Sequence, residues 1–268
     1  MAQSTADAVQ LDVSDGVATL TLNDPDRMNP LGGAISTAMD DHLDALLERD
    51  DIRCVVVRGA GHAFSAGGDI EGMKERLEGE VNLDEYAQEL ERGPSDVIRR
   101  IAQYPYPTIS AVDGPAVGAG ANLAIAGDLI IASEAAKIGW VFRNVGLTID
   151  SGTSYMLPRI VGTNIAKELV YTGEILGADR AEELGIFNRV YGEEEFEDGL
   201  AEVVDTIANG PTVAFRHAGR LIDEGLEKPL QRAINDESTA QAIVRDTADH
   251  AEGVEAFLDD RDPEFEGR

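Results

Sequence analysis

Apolar and polar positions divide the chain into two textures. Residues 9–13 and 17–22 run apolar or alternate on either side of Asp15-Gly16, the pattern of two strands joined by a tight two-residue hairpin. Ile35, Met39, Leu43, Leu46 and Leu47 recur at the helical period within 31–49, and the apolar run 54–57 predicts a short buried strand after them. The acidic stretch 71–92 predicts a helix or lid. Helical spacing follows at Val97, Ile98 and Ile101 and is broken by Tyr104-Pro105-Tyr106-Pro107. Strands are expected at 108–112, 129–132, near 137–139 and within 185–191, and helices at 151–160, 164–172 and 178–184, with 142–152 as a loop. From residue 193 only helical spacing remains, over 196–207, 213–225, 230–250 and 252–258. The pattern predicts an α/β body over 1–192 and a helical segment over 193–268. The apolar faces of that segment must bury on the body or on a second subunit.

Two places interrupt this alternation with glycine. The strand at 108–112 enters Asp113-Gly114-Pro115, read as a turn, and Gly118-Ala119-Gly120 then opens a helix of small and apolar residues running toward Asp128. The strand at 54–57 runs into a similar passage ending in Phe64-Ser65-Ala66-Gly67-Gly68-Asp69-Ile70. A strand that delivers a helix N-terminus through residues without bulk exposes backbone N–H groups, and the positive end of the helix dipole, to an anion or oxyanion. Close helix packing accounts for the same small residues. Gly118-Ala119-Gly120-Ala121-Asn122-Leu123 lacks the third glycine of a dinucleotide fingerprint, and no Gly-x-Ser-x-Gly elbow occurs, which argues against a nicotinamide site and a serine hydrolase.

Charge adds a condition on the environment. Of 268 residues, 51 are acidic and 22 basic, for a net charge of -29, and lysine occurs only at Lys74, Lys137, Lys167 and Lys228. The acid is spread along the chain, as on a surface bathed in concentrated cations, and suggests a high-salt cytoplasm. Stability is therefore expected to fall when salt is removed: the melting temperature should drop between molar and millimolar KCl, and an unchanged value contradicts this reading. Without clustered Lys and Arg, nucleic acid is not an expected partner. The N-terminus lacks the basic-then-apolar order of a signal peptide and no 18-residue apolar run exists, so a cytoplasmic protein with no membrane partner is expected. Cys54 is alone and the four His are scattered, so neither a disulfide nor a metal site is expected.

Taken together, the loop Asn23-Asp24-Pro25-Asp26-Arg27-Met28-Asn29-Pro30-Leu31, both glycine-rich passages, and 252–258 with Arg261 and Pro263 resemble the enoyl-CoA hydratase/isomerase superfamily, the crotonase fold, over nearly the full length. The resemblance implies an α/β spiral of ββα units with C-terminal helices packing between subunits of a homotrimer or hexamer. It also implies an acyl-CoA thioester as substrate and no separate cofactor. Carried onto matching positions, the backbone N–H groups of Gly68 and Ala119 would hold the thioester oxygen, and Arg27 with Ala66, Asp69 and Ile70 would line the CoA groove. Such donors stabilise an enolate as it forms, and loss of one typically costs about 10²–10³ in rate.

Hydratases of the superfamily carry two glutamates, and at those positions this chain has Asn122 and Phe142. Asn cannot accept and return a proton at neutral pH, and Phe cannot do so at all, which leaves Asn122 to orient substrate or water and Phe142 to line the pocket. A carboxylate follows at Asp150, in Gly146-Leu147-Thr148-Ile149-Asp150-Ser151-Gly152-Thr153-Ser154, ahead of Leu157-Pro158-Arg159. This looks like the branch of Δ3,Δ2-enoyl-CoA isomerases and the ring-opening isomerase of phenylacetate degradation. Asp150 is the expected acid/base, its pKa raised by burial near Phe142 and Val145; as an alternative, it caps the following helix through the Thr153 N–H. An atypical 2-enoyl-CoA hydratase, a dehalogenase-like enzyme with Asp150 as nucleophile, and a non-catalytic acyl-CoA-binding scaffold are the other readings.

Overall fold

A computed structural model describes residues 7–69, 72–74 and 82–268. Strands β1 (Val9–Ser14) and β2 (Val17–Leu22) form the expected antiparallel hairpin. Its two turn residues, Asp15 and Gly16, have φ of 51° and 78°, as a two-residue turn matching the right-handed strand twist requires. Helix α1 (Gly33–Leu47) leads to β3 (Cys54–Gly59). Helices α2 (Leu83–Arg92) and α3 (Pro94–Ala102) then precede β4 (Thr108–Val112). The acidic stretch expected as a helix or lid is thus helical over α2, and most of its earlier part lies outside the described residues.

From β4 the chain repeats one construction. A five-residue strand is followed by a sharp turn, a three-residue strand and a helix: β4, β5 (Pro115–Val117) and α4 (Ala119–Ala124), then β6 (Leu129–Ser133), β7 (Lys137–Gly139) and α5 (Thr153–Val161). Helix α6 (Thr163–Thr172), β8 (Ile175–Gly177), α7 (Ala178–Glu183) and β9 (Arg189–Tyr191) complete the body. Six strands build one sheet in the order β1-β2-β3-β4-β6-β9, parallel beyond the hairpin, and three short ones a second sheet, β5-β7-β8. A bridge from Ser65 to Ala116 ties the segment after β3 to that second sheet. This is the α/β spiral of ββα units. Pro115, read as part of a turn, is the first residue of β5, a strand position where its missing N–H costs no ladder bond.

Alternation along β3 divides the core. Val55 and Val57 join the main core with Met39, Leu43 and Phe64, while Val56 turns the other way onto Ile109, Ile131 and Phe196. Phe196, Leu200 and Val203 belong to α8 (Phe196–Ala208), which covers that second face of the sheet. Helices α9 (Thr212–Gly225), α10 (Leu230–Val244) and α11 (Ala248–Leu258) follow. The break expected between helices over 230–250 and 252–258 falls earlier, because Thr247 adopts an extended backbone and its side chain caps α11, accepting from His250 N at 3.1 Å. The tail is anchored to the body by Arg53, which donates to Thr212 Oγ1 at 2.5 Å and Gly210 O at 2.7 Å, and by the Arg159–Glu227 pair at 2.9 Å. Among the described residues no helix is long and apolar enough to cross a membrane.

Candidate active site

The loop after β3 is held by a buried asparagine. Asn29 is wholly buried, and its Nδ2 donates to Ala60 O at 2.9 Å and Ala63 O at 2.8 Å. Its own carbonyl accepts from Ser65 Oγ at 2.7 Å, and Ser65 Oγ in turn accepts from Gly67 N at 3.2 Å. Ser65 also pairs along β5, accepting from Val117 N at 3.0 Å and donating its N–H to Pro115 O at 3.1 Å. The two glycine-rich passages are therefore laced together edge to edge.

Glycine is required where they meet. Gly67 has φ of 90°, and a Cβ there would lie 2.5 Å from Val117 O and 3.2 Å from Ala119 N. Gly118 has φ of 57° and ψ of -123°, a conformation that bulkier residues avoid, and its N–H is bonded to Gly139 O at 2.8 Å. Between these fixed points stand the two expected donors. Among the described residues neither Gly68 N–H nor Ala119 N–H is engaged in a hydrogen bond. Ala119 opens α4, every residue of which is buried.

Asp150 meets Asn122, which lies within α4. Asn122 Nδ2 lies 3.2 Å from Asp150 O and 3.5 Å from Asp150 Oδ1. The Asn122 side chain is wholly buried and its Oδ1 accepts from Trp140 Nε1 at 2.9 Å and Thr153 Oγ1 at 2.6 Å. Its amide is thus hydrogen-bonded within the protein on both sides, to Trp140 and Thr153 through Oδ1 and to Asp150 through Nδ2. The Asp150 carboxylate is half-buried and its pKa is raised, burial being the cause and the Ser151 hydroxyl opposing it. Val145, expected to supply that burial, is 55% exposed. The capping alternative fails as well, because Thr153 N donates to the Asp150 backbone carbonyl at 2.9 Å and Gly152 occupies the cap position.

The residues expected in the groove separate into four situations. Arg27 donates to Asp69 Oδ1 at 2.7 Å, and Asp69 also accepts from Gly72 N at 3.3 Å, so this ion pair orders the loop just beyond Gly68. Ala66 is half-buried and its N–H donates to Met28 O at 2.7 Å. Phe142 sits in a short 3-10 turn, Val141–Val145, and packs into the main core. Ile70 lies outside the described residues. Trp140, Thr153 and Asn29 emerge as site-building residues; Trp140 left a signal in being the only Trp of the chain, the others none beyond their neighbourhood.

A spiral of ββα units that laces two small-residue loops beside a half-buried carboxylate defines a crotonase-type enzyme. The sequence pattern of the enoyl-CoA hydratase/isomerase family matches residues 12–268. The chain belongs to that family and is an acyl-CoA enzyme of the hydratase/isomerase type. It is 34% identical to the 1,2-epoxyphenylacetyl-CoA isomerase of Escherichia coli (strain K12) over 96% of this chain and 97% of the relative. It is 31% identical to the 4-chlorobenzoyl coenzyme A dehalogenase-1 of an Arthrobacter species over 83% and 80%. The crystal structure of the enoyl-CoA hydratase of Mycobacterium smegmatis superposes with a TM-score of 0.89 at 33% identity, covering 96% of this chain and 98% of that one. These three relatives carry three reaction types, so membership alone does not choose the chemistry.

Proposed function

We propose that the protein is an enoyl-CoA isomerase that moves a double bond from the 3,4 to the 2,3 position of an acyl-CoA thioester. Asp150 takes a proton from C2, the electrons shift into a dienolate whose oxygen rests on the N–H groups of Gly68 and Ala119, and the same carboxyl returns the proton at C4. One carboxyl suffices because the proton leaves and returns. The observation that carries the reading is Asp150 itself, half-buried, with a raised pKa and an amide at 3.2 Å from its carbonyl. A raised pKa brings a carboxyl nearer to working pH as both base and acid. Hydration asks for a second proton-transfer group, and Asn122 and Phe142 supply none. In this proposal Arg27, Ala66, Asp69, Ile70 and Phe142 border the substrate.

The helical segment over 193–268 is proposed as the assembly surface of a homotrimer or hexamer, supported by apolar side chains at 72–85% exposure at Ile222 in α9, Leu226 just after it, Leu230 in α10 and Phe257 in α11. A second chemistry, displacement by Asp150 as nucleophile on an aryl-CoA, is favoured by the Arthrobacter relative. A panel of 2-enoyl, 3-enoyl and aryl-CoA thioesters assayed in high salt separates these readings. The expected result is turnover of the 3-enoyl thioester with a rise in ultraviolet absorbance as the double bond becomes conjugated. Turnover of the 2-enoyl or haloaryl thioester alone overturns the isomerase reading, and binding by calorimetry without turnover of any of them supports a scaffold.

A further inference from the structure

The indole of Trp140 can only donate a hydrogen bond, and this fixes more than its own position. Its Nε1 faces the side-chain amide of Asn122 at 2.9 Å, so the atom of that amide facing it must be the oxygen. The amide nitrogen is thereby turned to the opposite side, where it meets Asp150 O at 3.2 Å and stands 3.5 Å from Asp150 Oδ1. Reversed, the amide would set its oxygen against the Asp150 carbonyl and carboxylate and leave a buried indole N–H without an acceptor, both of which are unfavourable. Thr153 closes the arrangement: its Oγ1 lies 2.6 Å from Asn122 Oδ1 and 2.9 Å from Asp150 O, and its N–H donates to the same carbonyl at 2.9 Å. Trp140 and Asn122 are wholly buried and Thr153 nearly so, which excludes water as a competing partner.

We propose that Trp140, Asn122 and Thr153 form a buried positioning relay that sets the orientation of Asp150, with the donor-only indole deciding which way the Asn122 amide points. The inference rests on the reading of Asp150 as the acid/base. None of the three is a catalytic residue, since each acts through Asp150. The groups that face Asp150 in this account are Ser151, Asn122 and Thr153, all uncharged, and among the described residues no charged side chain enters the causes of its shift. With the amide N–H aimed at Oδ1 from 3.5 Å, the ionised carboxyl is expected to be favoured, and loss of the relay is expected to move the acid limb of the rate profile to higher pH.

Trp140→Phe keeps the ring and removes the donor. Its expected effect on 3-enoyl-CoA turnover is a fall in kcat of roughly tenfold through misorientation of the base. KM should be unchanged and the acid limb displaced to higher pH. Thr153→Val should act in the same direction and Thr153→Ser should restore near wild-type behaviour. Because Trp140 is the only Trp, its indole N–H gives one nitrogen-15 resonance, which is expected to titrate with the acid limb in the wild type and to be pH-independent in Asp150→Asn. A folded Trp140→Phe with wild-type kcat and an unmoved acid limb overturns the relay, as does an indole resonance that ignores Asp150. Asp150→Asn separates the two failures: if it stays active the isomerase reading itself falls, whereas an inactive Asp150→Asn beside an unaltered Trp140→Phe overturns the relay alone.

Discussion

Asp150→Asn should abolish double-bond migration, with kcat reduced by about 10²–10⁴-fold, the range over which positioned acid/base groups act. The replacement keeps the shape of the side chain and removes only its ability to take up and release a proton. Loss of activity through unfolding is separable, because the same substitution is expected to stabilise the protein. Burial raises the pKa of Asp150, so the folded chain holds this proton to higher pH than the unfolded chain does. Stability is therefore given up as pH rises from the unfolded pKa of about 3.9 through the folded one, and it stays lower at neutral pH. Asn carries no charge. Thermal melts near neutral pH should show a higher melting temperature for Asp150→Asn than for the wild type, with the difference vanishing in acid. An inactive variant with a lowered melting temperature at neutral pH would assign Asp150 a structural role instead.

Ala119→Pro should lower kcat by about 10²–10³-fold by deleting one of the two N–H groups offered to the thioester oxygen. Ala119 is the first residue of α4, the helical position that accepts proline best because its N–H has no partner within the helix. The variant is thus expected to fold, and circular dichroism with a melting curve checks that it does. Ala119→Gly, which keeps the N–H, is the matched control and should retain most of the rate. A folded Ala119→Pro that turns over a 3-enoyl thioester at the wild-type rate removes the second passage from the mechanism.

How much of this was legible in the sequence depends on the reach of the interaction concerned. The Asp15-Gly16 hairpin, the period of α1 and the apolar runs of β3 and β4 are local, and each stands where the pattern puts it. Three-residue β8 left no signal, since its existence depends on an antiparallel partner in β7 about 38 residues earlier. Apolar spacing continues through Ile243 and Val244 and hides the break at Thr247, which the capping hydroxyl decides. Glycines 67, 68, 118 and 120 announced close approach but not what approached. That Gly67 faces Val117 and Ala119 follows from the Ser65 bridge to β5, a pairing between distant segments. Asn122 was conspicuous as the wrong residue for a hydratase. Its engagement with Trp140 and Thr153, 18 and 31 positions away, belongs to the folded chain alone.

The central claim is that one carboxyl and two backbone donors carry a proton across a thioester dienolate. Proton NMR of a 3-enoyl-CoA incubated with the protein in concentrated KCl tests it most directly, because the spectrum reads where the double bond ends and what was added. The expected product has vinyl protons at C2 and C3 and a saturated methylene at C4, with no conversion by Asp150→Asn under the same conditions. A 3-hydroxyacyl thioester as the product, or conversion by Asp150→Asn at the wild-type rate, contradicts it.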